Sequence, residues 1–185
     1  MSASNAVGVR HDPLLNHNFV VSLLDSGSSL GVLGSLATAA IFDVALGGFS
    51  ECTGLEMSLQ IEEYKEGGRN GALLKFPSRI TWSNITLKKG VAAGTALWDW
   101  HYGFVIGSGR RRDGIITLLN EQHQPRTVWY FQRGLPIKYT GPSLNATQNS
   151  VAIEAIEIGH EGLYQLPSGG TATSAVSVVG ALGGL

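Results

Sequence analysis

The stretch LEMSLQIE, residues 55–62, decides the fold class. Its odd-numbered positions are Leu, Met, Leu and Ile, whereas its even-numbered positions are Glu, Ser, Gln and Glu. Side chains of a β-strand alternate between the two faces of a sheet, so this strand has one apolar face and one polar face. A half-exposed strand of this kind is typical of an antiparallel sheet. We therefore predict a mainly β protein.

Further strands are predicted on both sides of this stretch from their apolar patterns and the turn residues between them. They cover residues 19–24, 41–46, 80–87, 115–119, 127–131 and 151–158. The strand at 80–87 is expected to bulge near Ser83-Asn84, and the strand at 151–158 to change parity at Ala155-Ile156. One helix is predicted to begin after Thr95 and to end at Gly107.

The 185 residues fit one compact domain. We predict a single domain over residues 1–165, with an uncharged insertion rich in Gly, Ser and Ala at 26–40. An uncharged tail follows at 166–185. Charged residues make up 15% of the chain, below the usual quarter, which indicates that other chains cover part of the surface.

Charge and hydropathy exclude several classes of protein. The net charge of −1 gives no general attraction to nucleic acid. Residues 1–66 carry two basic and eight acidic side chains, whereas residues 67–138 carry eleven basic and three acidic ones. No apolar stretch is long enough to predict a membrane span, and the N-terminus lacks the pattern of a secretory signal peptide. We therefore expect synthesis in the cytoplasm without export by a signal peptide.

The sequence carries no convincing catalytic motif. His160-Glu161 matches the first half of a zinc-protease motif, but Tyr164 stands where the second histidine is required. No phosphate-binding loop and no nucleophile elbow is present, and Cys52 is interpreted as a small hydrophobic residue. We expect no enzymatic activity, no catalytic or metal-binding residue and no cofactor.

Several segments, taken in order, resemble one family of structural proteins. They are residues 47–91, which include the opening stretch, the sequence LWDW at 97–100, and residues 135–163. These segments resemble the inner tube proteins of contractile phage tails and contractile injection systems, the T4-like tail tube family. With the strand NFVVSLLDS at 18–26, the resemblance covers most of residues 14–163.

The resemblance implies a tail-tube domain: an antiparallel β-barrel or sandwich with one flanking α-helix and extended inter-subunit loops. It also implies that six copies form a ring and that rings stack into a hollow tube, whose lumen carries a payload or a genome. The implied partners are other copies of the chain, a sheath protein, baseplate or spike proteins, and a tube terminator. Phage tail and injection system remain alternatives, as do the bulk tube and a ring next to the baseplate.

The resemblance also assigns two sets of residues to the assembly. Along 55–62, the apolar face is expected to pack in the subunit core, and the polar face to line the lumen or a polar interface, with Glu56, Ser58 and Gln60 as candidates. The loop that begins at Glu62 is expected to reach a neighbouring subunit, where its glycines permit close approach of the backbone. The inter-subunit candidates are Glu62, Glu63, Lys65, Gly67, Gly68 and Arg69.

Two other functions remain open at this stage. A monomeric β-barrel module that binds an oligonucleotide or a glycan would use Trp98, Trp100 and the arginine turn at 110–112. Bulky aromatic residues on the one predicted helix are more often core residues, so we expect them to pack inward. A metal hydrolase around His160 would require a second convergent histidine.

Overall fold

The computed structural model describes residues 14–25, 48–65, 71, 73–91, 94–147 and 149–166. Nine strands and one helix lie in these ranges. They are β1 (Phe19–Asp25), β2 (Glu51–Thr53), β3 (Met57–Tyr64), β4 (Leu74–Trp82), β5 (Ile85–Gly90), α1 (Ala96–Val105), β6 (Arg112–Leu119), β7 (Pro125–Thr140), β8 (Ile153–Gly159) and β9 (Gly162–Leu166). The predicted strand at 41–46, the insertion at 26–40 and tail residues 167–185 lie outside the described residues.

Seven strands form one antiparallel sheet in the order β1-β6-β7-β8-β5-β2, and β9 also pairs with β7. The 16-residue strand β7 joins two halves of this sheet. Its first part pairs with β6 and β9, and its last part pairs with β8. The predicted mainly β, antiparallel fold is confirmed. Strand β9 was not predicted, and Leu166, which the sequence analysis assigned to the tail, is its last residue.

A bulge in β7 separates these two parts. Arg112 pairs with Gly134 and Gly114 pairs with Phe131, so two residues of β7 lie opposite the single residue Asp113 of β6. Arg133, within the bulge, has a φ of 53°. The backbone N–H of Arg133 donates a hydrogen bond to Oδ1 of Asp113 at 2.7 Å. This bond holds a backbone conformation that few non-glycine residues adopt.

The two halves of the sheet share one hydrophobic core. Its buried strand residues are Val21, Leu23, Ile85, Leu87, Ile116, Phe131, Ile156 and Ile158. Each of them is at most 2% exposed. Burial of apolar surface contributes about 25 cal/mol per Å², so this core is the main stabilising element of the subunit.

Helix α1 packs on this core with part of its surface. It begins after Thr95, as predicted, and Gly107 follows its end with a φ of 77°, a conformation that favours glycine. Leu97 and Trp100 are buried in the core. Trp98 is 48% exposed. The expectation of inward packing is therefore confirmed for Trp100 and wrong for Trp98.

The Ser83-Asn84 segment separates two strands and does not form a bulge within one. β4 ends at Trp82, β5 begins at Ile85, and the two strands belong to different sheets. The parity difference in the sequence arises because each strand presents its apolar residues to a different surface. The expectation of one bent strand over 80–87 is therefore wrong.

Strand β8 alternates regularly, so the expected parity change at Ala155-Ile156 is also wrong. Glu154 lies on the same inward face as Ile156 and Ile158 and is 5% exposed. Its Oε1 lies 3.3 Å from Nζ of Lys89, directly across the strand pair. A buried carboxylate is tolerated when it is paired with an opposite charge. A pattern of apolar residues alone predicts that Glu154 faces outward. Its ion pair with Lys89 accounts for its position on the inward face.

Candidate functional site

Strands β3 and β4 form a separate two-stranded sheet, which we call the arm. Among the described residues, the strand pairing of β3 is with β4 alone. All eight residues of β3 are exposed. An isolated two-stranded hairpin is marginally stable in water, so the arm is the part of the described structure that most needs an additional partner.

The register of the arm places the apolar residues Met57, Leu59 and Ile61 on one face, whereas Tyr64 and Phe76 lie on the other. Three cross-strand pairs share that face, because directly paired residues point to the same side of a sheet. These pairs are Met57 with Trp82, Leu59 with Ile80, and Ile61 with Pro77. Met57, Leu59 and Ile61 are 73%, 51% and 54% exposed. The prediction of core packing is confirmed for Leu55, which contacts the core, and wrong for these three residues. Alternation identifies an apolar face but not the surface that covers it.

The opposite face of the arm is polar near the body. Ser58 and Gln60 are exposed on it, and Oγ1 of Thr81 donates a hydrogen bond to the carbonyl of Ser58 at 3.3 Å. Glu56 immediately precedes β3 and accepts a hydrogen bond from Oγ of Ser83 at 3.4 Å. The structure brings Glu56, Ser58 and Gln60 together at one exposed polar region. Their assignment to the lumen stays a prediction.

Three of the inter-subunit candidates, Glu62, Glu63 and Lys65, lie at the far end of the arm. Glu62 and Glu63 belong to β3, so the loop begins after Tyr64 and not at Glu62 as expected. Glu63 lies 4.0 Å from Nζ of Lys75 in an exposed ion pair. Lys65 follows the strand and is exposed. The remaining candidates, Gly67, Gly68 and Arg69, lie outside the described residues.

The arm is held to the body at its root. Gly54 has a φ of 89°, and a Cβ atom there would overlap the carbonyl of Asn84, so this position requires glycine. Nε2 of His160 donates a hydrogen bond to the carbonyl of Ser83 at 3.1 Å. The His160 ring lies 6.1 Å from the ring of Trp82. Burial lowers the pKa of His160 below its ordinary value, which favours the neutral ring.

In the arginine turn at 110–112, the side chains of Arg111 and Arg112 contact other residues of the chain. Nη1 of Arg111 lies 2.6 Å from Oε1 of Glu161, and Nε of Arg133 lies 2.8 Å from Oε2 of the same carboxylate. The guanidinium of Arg112 lies 5.4 Å from the ring centre of Trp100. Two of the three arginines therefore have partners within the chain.

The His160-Glu161 pair is not arranged as a metal site in the described part of the chain. His160 binds the arm root through Nε2, and Glu161 binds two arginines. Within the described ranges, no three His, Cys, Asp or Glu side chains are grouped so that they could hold a metal ion. The pair is explained by structural contacts.

A second exposed apolar surface lies on helix α1, and we call it the helix patch. It consists of Trp98, Tyr102, Val105 and Ile106, which are 48%, 46%, 68% and 63% exposed. The rings of Trp98 and Tyr102 stack with their centres 5.9 Å apart. The ring of Tyr139 meets Trp98 edge-on at 5.2 Å. These contacts fix the aromatic side chains, so the patch has a defined shape.

A groove of about 500 Å³ lies along α1, and none of the four helix-patch residues lines it. Its lining includes Asp99, Gly103 and Arg110. Oδ2 of Asp99 accepts a hydrogen bond from Thr95 at 2.7 Å, and the carbonyl of Arg110 accepts one from Nε1 of Trp100 at 2.9 Å. Asp99 and Arg110 thus belong to a groove whose aromatic lining residue is the buried Trp100.

The chain with this seven-stranded sheet, helix α1 and exposed arm matches a known family. A family model described as T4-like virus tail tube protein gp19 matches residues 15–164. The chain belongs to this family. The resemblance found in the sequence is confirmed, and so is the interpretation that the chain is a structural tail tube protein. No curated protein sequence matches the chain.

Solved structures of contractile injection systems have similar chains. One chain of the PVC sheath-tube complex in the extended state is 25% identical, with a TM-score of 0.66 over 84% of this chain and 92% of that chain. A chain of the PVC sheath/tube terminator is 26% identical, with a TM-score of 0.67 over 85% and 99%. A chain of the anti-feeding prophage baseplate is 21% identical, with a TM-score of 0.70 over 85% and 98%, and shows the shared fold.

In the part of the chain that the structure describes, no helix has both the length and the apolar character required to cross a membrane.

Proposed function

We propose that this tail tube protein forms hexameric rings that stack into the inner tube of a contractile injection system or a contractile phage tail. Membership of the gp19 family supports this role over residues 15–164. The similar chains in a PVC sheath-tube complex and in its terminator support the same role. The tube guides a payload or a genome through its lumen, and its role is mechanical and not catalytic.

The single observation that carries the proposal is the exposed apolar face of the arm. Met57, Leu59 and Ile61 have more than half of their surface accessible in one copy of the chain. Exposed contiguous apolar surface of this kind marks interaction sites on soluble proteins. In a ring, a neighbouring copy covers this face, and the same contact repeats around the symmetry axis.

The arm also carries the candidate contact residues. We propose that Glu62, Glu63 and Lys65, with Gly67, Gly68 and Arg69 in the following loop, contact a neighbouring subunit. The polar region of Glu56, Ser58 and Gln60 then faces water in the lumen or a hydrated interface. Polar side chains on that side keep the arm soluble before assembly.

The proposed partners follow from the same comparisons. The tube contacts a sheath protein, baseplate or spike proteins, and a tube terminator in the assembled particle. The PVC and anti-feeding prophage structures contain similar chains in a sheath-tube complex, a terminator complex and a baseplate. We infer that the chain is made in the bacterial cytoplasm and functions as a component of a phage-tail-like particle.

Electron microscopy and sedimentation of the purified protein test the proposal. Wild-type protein at micromolar concentration is expected to form sixfold rings or tubes. Leu59→Asp is expected to abolish assembly without unfolding the subunit, because Leu59 lies outside the core. Gln60→Asp introduces the same charge on the opposite face of the arm and serves as the matched control, with assembly retained.

Two results would contradict the proposal. The tube role would be contradicted if the wild-type protein stayed monomeric over a wide concentration range, even with sheath and baseplate proteins present. Normal assembly of Leu59→Asp would exclude the apolar face of the arm from the interface. Circular dichroism of each variant verifies that the subunit itself remains folded.

A further inference from the structure

The arm is joined to the body by two short connections, residues 54–56 and 83–84. Two side chains from the region of β8 and β9 hold the second connection. Oε1 of Glu157 accepts a hydrogen bond from Nδ2 of Asn84 at 2.8 Å, and Nε2 of His160 donates one to the carbonyl of Ser83 at 3.1 Å. Histidine is the side chain that ordinarily changes its charge between pH 5 and 8. The attachment of the arm therefore includes a group that can respond to mild acid.

The ring of His160 lies between the arm and the core of the body. Its centre is 6.1 Å from the ring of Trp82, the last residue of β4, and 6.0 Å from the ring of Phe131 in the core. Because Nε2 donates its hydrogen to Ser83, the lone pair of the neutral ring is on Nδ1. This atom is buried and makes no hydrogen bond of normal geometry within the described residues. A second proton would therefore place a charge and an unpaired N–H group in a buried position.

Charged side chains on the elements around His160 already have partners. They are Glu56, Asp113, Glu157, Glu161, Arg111 and Arg133. Glu161, the next residue in the chain, is held by both arginines. Burial is the largest influence on the pKa of His160 and lowers it, whereas the backbone groups of Ser83 and Gly162 act in the opposite direction. The uncharged ring is therefore the form that fits this site.

We propose that His160 is an acid-sensitive latch that fixes the direction of the arm, and that its protonation releases the arm root from the body. The neutral ring binds Ser83 and packs against Trp82. The protonated ring moves into water, where both of its N–H groups are hydrogen-bonded, so both contacts with the arm root are lost. Asn84 stays bound to Glu157, so the arm pivots at this connection and does not detach. This inference concerns the single subunit and goes beyond the proposed function.

A distance measurement between two spin labels tests the latch. Cys52 is the only native cysteine, so Cys52→Ser provides the background. One label is attached to Lys75→Cys in the arm and the other to Arg126→Cys at the start of β7, two exposed positions. Double electron–electron resonance below the assembly concentration then gives the distribution of arm positions at about pH 7.5 and about pH 5.

Two histidine variants are compared with the wild-type protein in this experiment. His160→Gln removes the titrating ring, and its amide can still donate a hydrogen bond to the carbonyl of Ser83. His123→Gln is the matched control, because His123 is exposed in the turn between β6 and β7. Circular dichroism of each protein at both pH values reports whether the subunit stays folded.

We expect acid to add an open population of arms in the wild type and in His123→Gln, and to cause no change in His160→Gln. The ratio of open to closed arms should rise by at most about tenfold for each pH unit below 6.5, since one proton is taken up. A wild-type distribution that is the same at both pH values, or an equal acid response in His160→Gln, would overturn the latch. Loss of the circular dichroism signal in acid would also overturn it, because the whole subunit would then be unfolding.

Assembly gives a second readout that is separate from the first. If the arm must point in one direction to reach a neighbouring copy, the wild type should need up to about tenfold more protein to assemble for each pH unit below 6.5, and His160→Gln should not. Normal assembly of the wild type in acid, with the arm open, would overturn a role of the latch in assembly. Absence of rings at both pH values would count against the proposed function alone, because the distance measurement uses the single subunit.

Discussion

Replacing Glu154 with Gln is expected to destabilise the subunit by about 3 to 5 kcal/mol. The carboxylate lies 3.3 Å from the ammonium of Lys89, and the two side chains are 7% and 3% exposed. Gln has nearly the same shape, so the substitution removes the charge and leaves the packing. A buried ammonium that faces a neutral amide has lost most of the energy that offset its desolvation, which accounts for the size of the effect.

The same substitution has a spectroscopic consequence. The hydroxyl of Tyr139 donates a hydrogen bond to Oε2 of Glu154 at 2.7 Å. Burial, followed by the hydrogen bond and the charge of Glu154, raises the pKa of Tyr139 to about 12. Glu154→Gln removes the charge, so the pKa of Tyr139 should fall while burial keeps it above the ordinary value. Ultraviolet absorbance during an alkaline titration measures this change.

The matched control is an ion pair on the opposite face of β5. Glu51 is 2.9 Å from Lys88, the neighbour of Lys89, and the side chains of this pair are 47% and 40% exposed. Exposed ion pairs contribute about 0 to 1 kcal/mol, so Glu51→Gln should cost less than about 1 kcal/mol. The comparison isolates burial, because in both cases a glutamate pairs with a lysine of β5.

Urea unfolding of the subunit, followed by tryptophan fluorescence below the assembly concentration, measures both costs. The double variant Lys89→Met with Glu154→Leu should recover most of the lost stability, because replacing a buried pair with apolar residues is often neutral. Equal costs for Glu154→Gln and Glu51→Gln would refute the reasoning. That result would mean that water solvates the Lys89–Glu154 pair in solution.

Three further predictions concern packing, pH and the arm. Gly114→Ala should lower the free energy of unfolding by about 1 to 3 kcal/mol, because the new Cβ would overlap the buried ring of Phe131. Gly48→Ala has open space around it and should leave the stability unchanged in the same urea unfolding experiment. The depressed pKa of His160 predicts stability that is complete above pH 6.5 and decreases as the pH falls towards the folded-state pKa, and His160→Gln should flatten this dependence. Hydrogen exchange should be faster in the arm than in β5 before assembly and slower after it; unchanged arm exchange in tubes would contradict docking.

Local sequence signals predicted the elements that depend on local chemistry. The helix begins after Thr95 and ends shortly before Gly107, as predicted. The φ of 77° at Gly107 reflects the conformational freedom of glycine, whereas the Thr95 hydroxyl makes no capping bond and donates to Asp99 instead. The hairpin around residues 120–126 is also confirmed, with β6 and β7 paired on either side. In each case the deciding residues lie within a few positions of the feature.

Features that depend on distant partners were missed. Lys89 and Glu154 are 65 positions apart, and each alone indicates an exposed position, so only their pairing across β5 and β8 explains their burial. Strand β9 pairs with β7 through a register that its short sequence does not specify. Arg111 and Glu161 likewise meet only after the sheet has formed. The sequence shows which residues are charged but not which of them pair in the folded protein.

The arm shows that an alternation of apolar and polar residues does not by itself predict which residues are buried. Strands β3 and β5 both alternate apolar and polar residues, yet Leu87 is fully buried and Leu59 is 51% exposed. The difference is topological: β5 lies between β8 and β2, above the core, whereas β3 pairs with β4 in a separate sheet. Alternation specifies that a face must be covered, and the fold determines whether the same chain can cover it. An apolar face that the subunit does not cover therefore supports the proposed contact with a neighbouring copy.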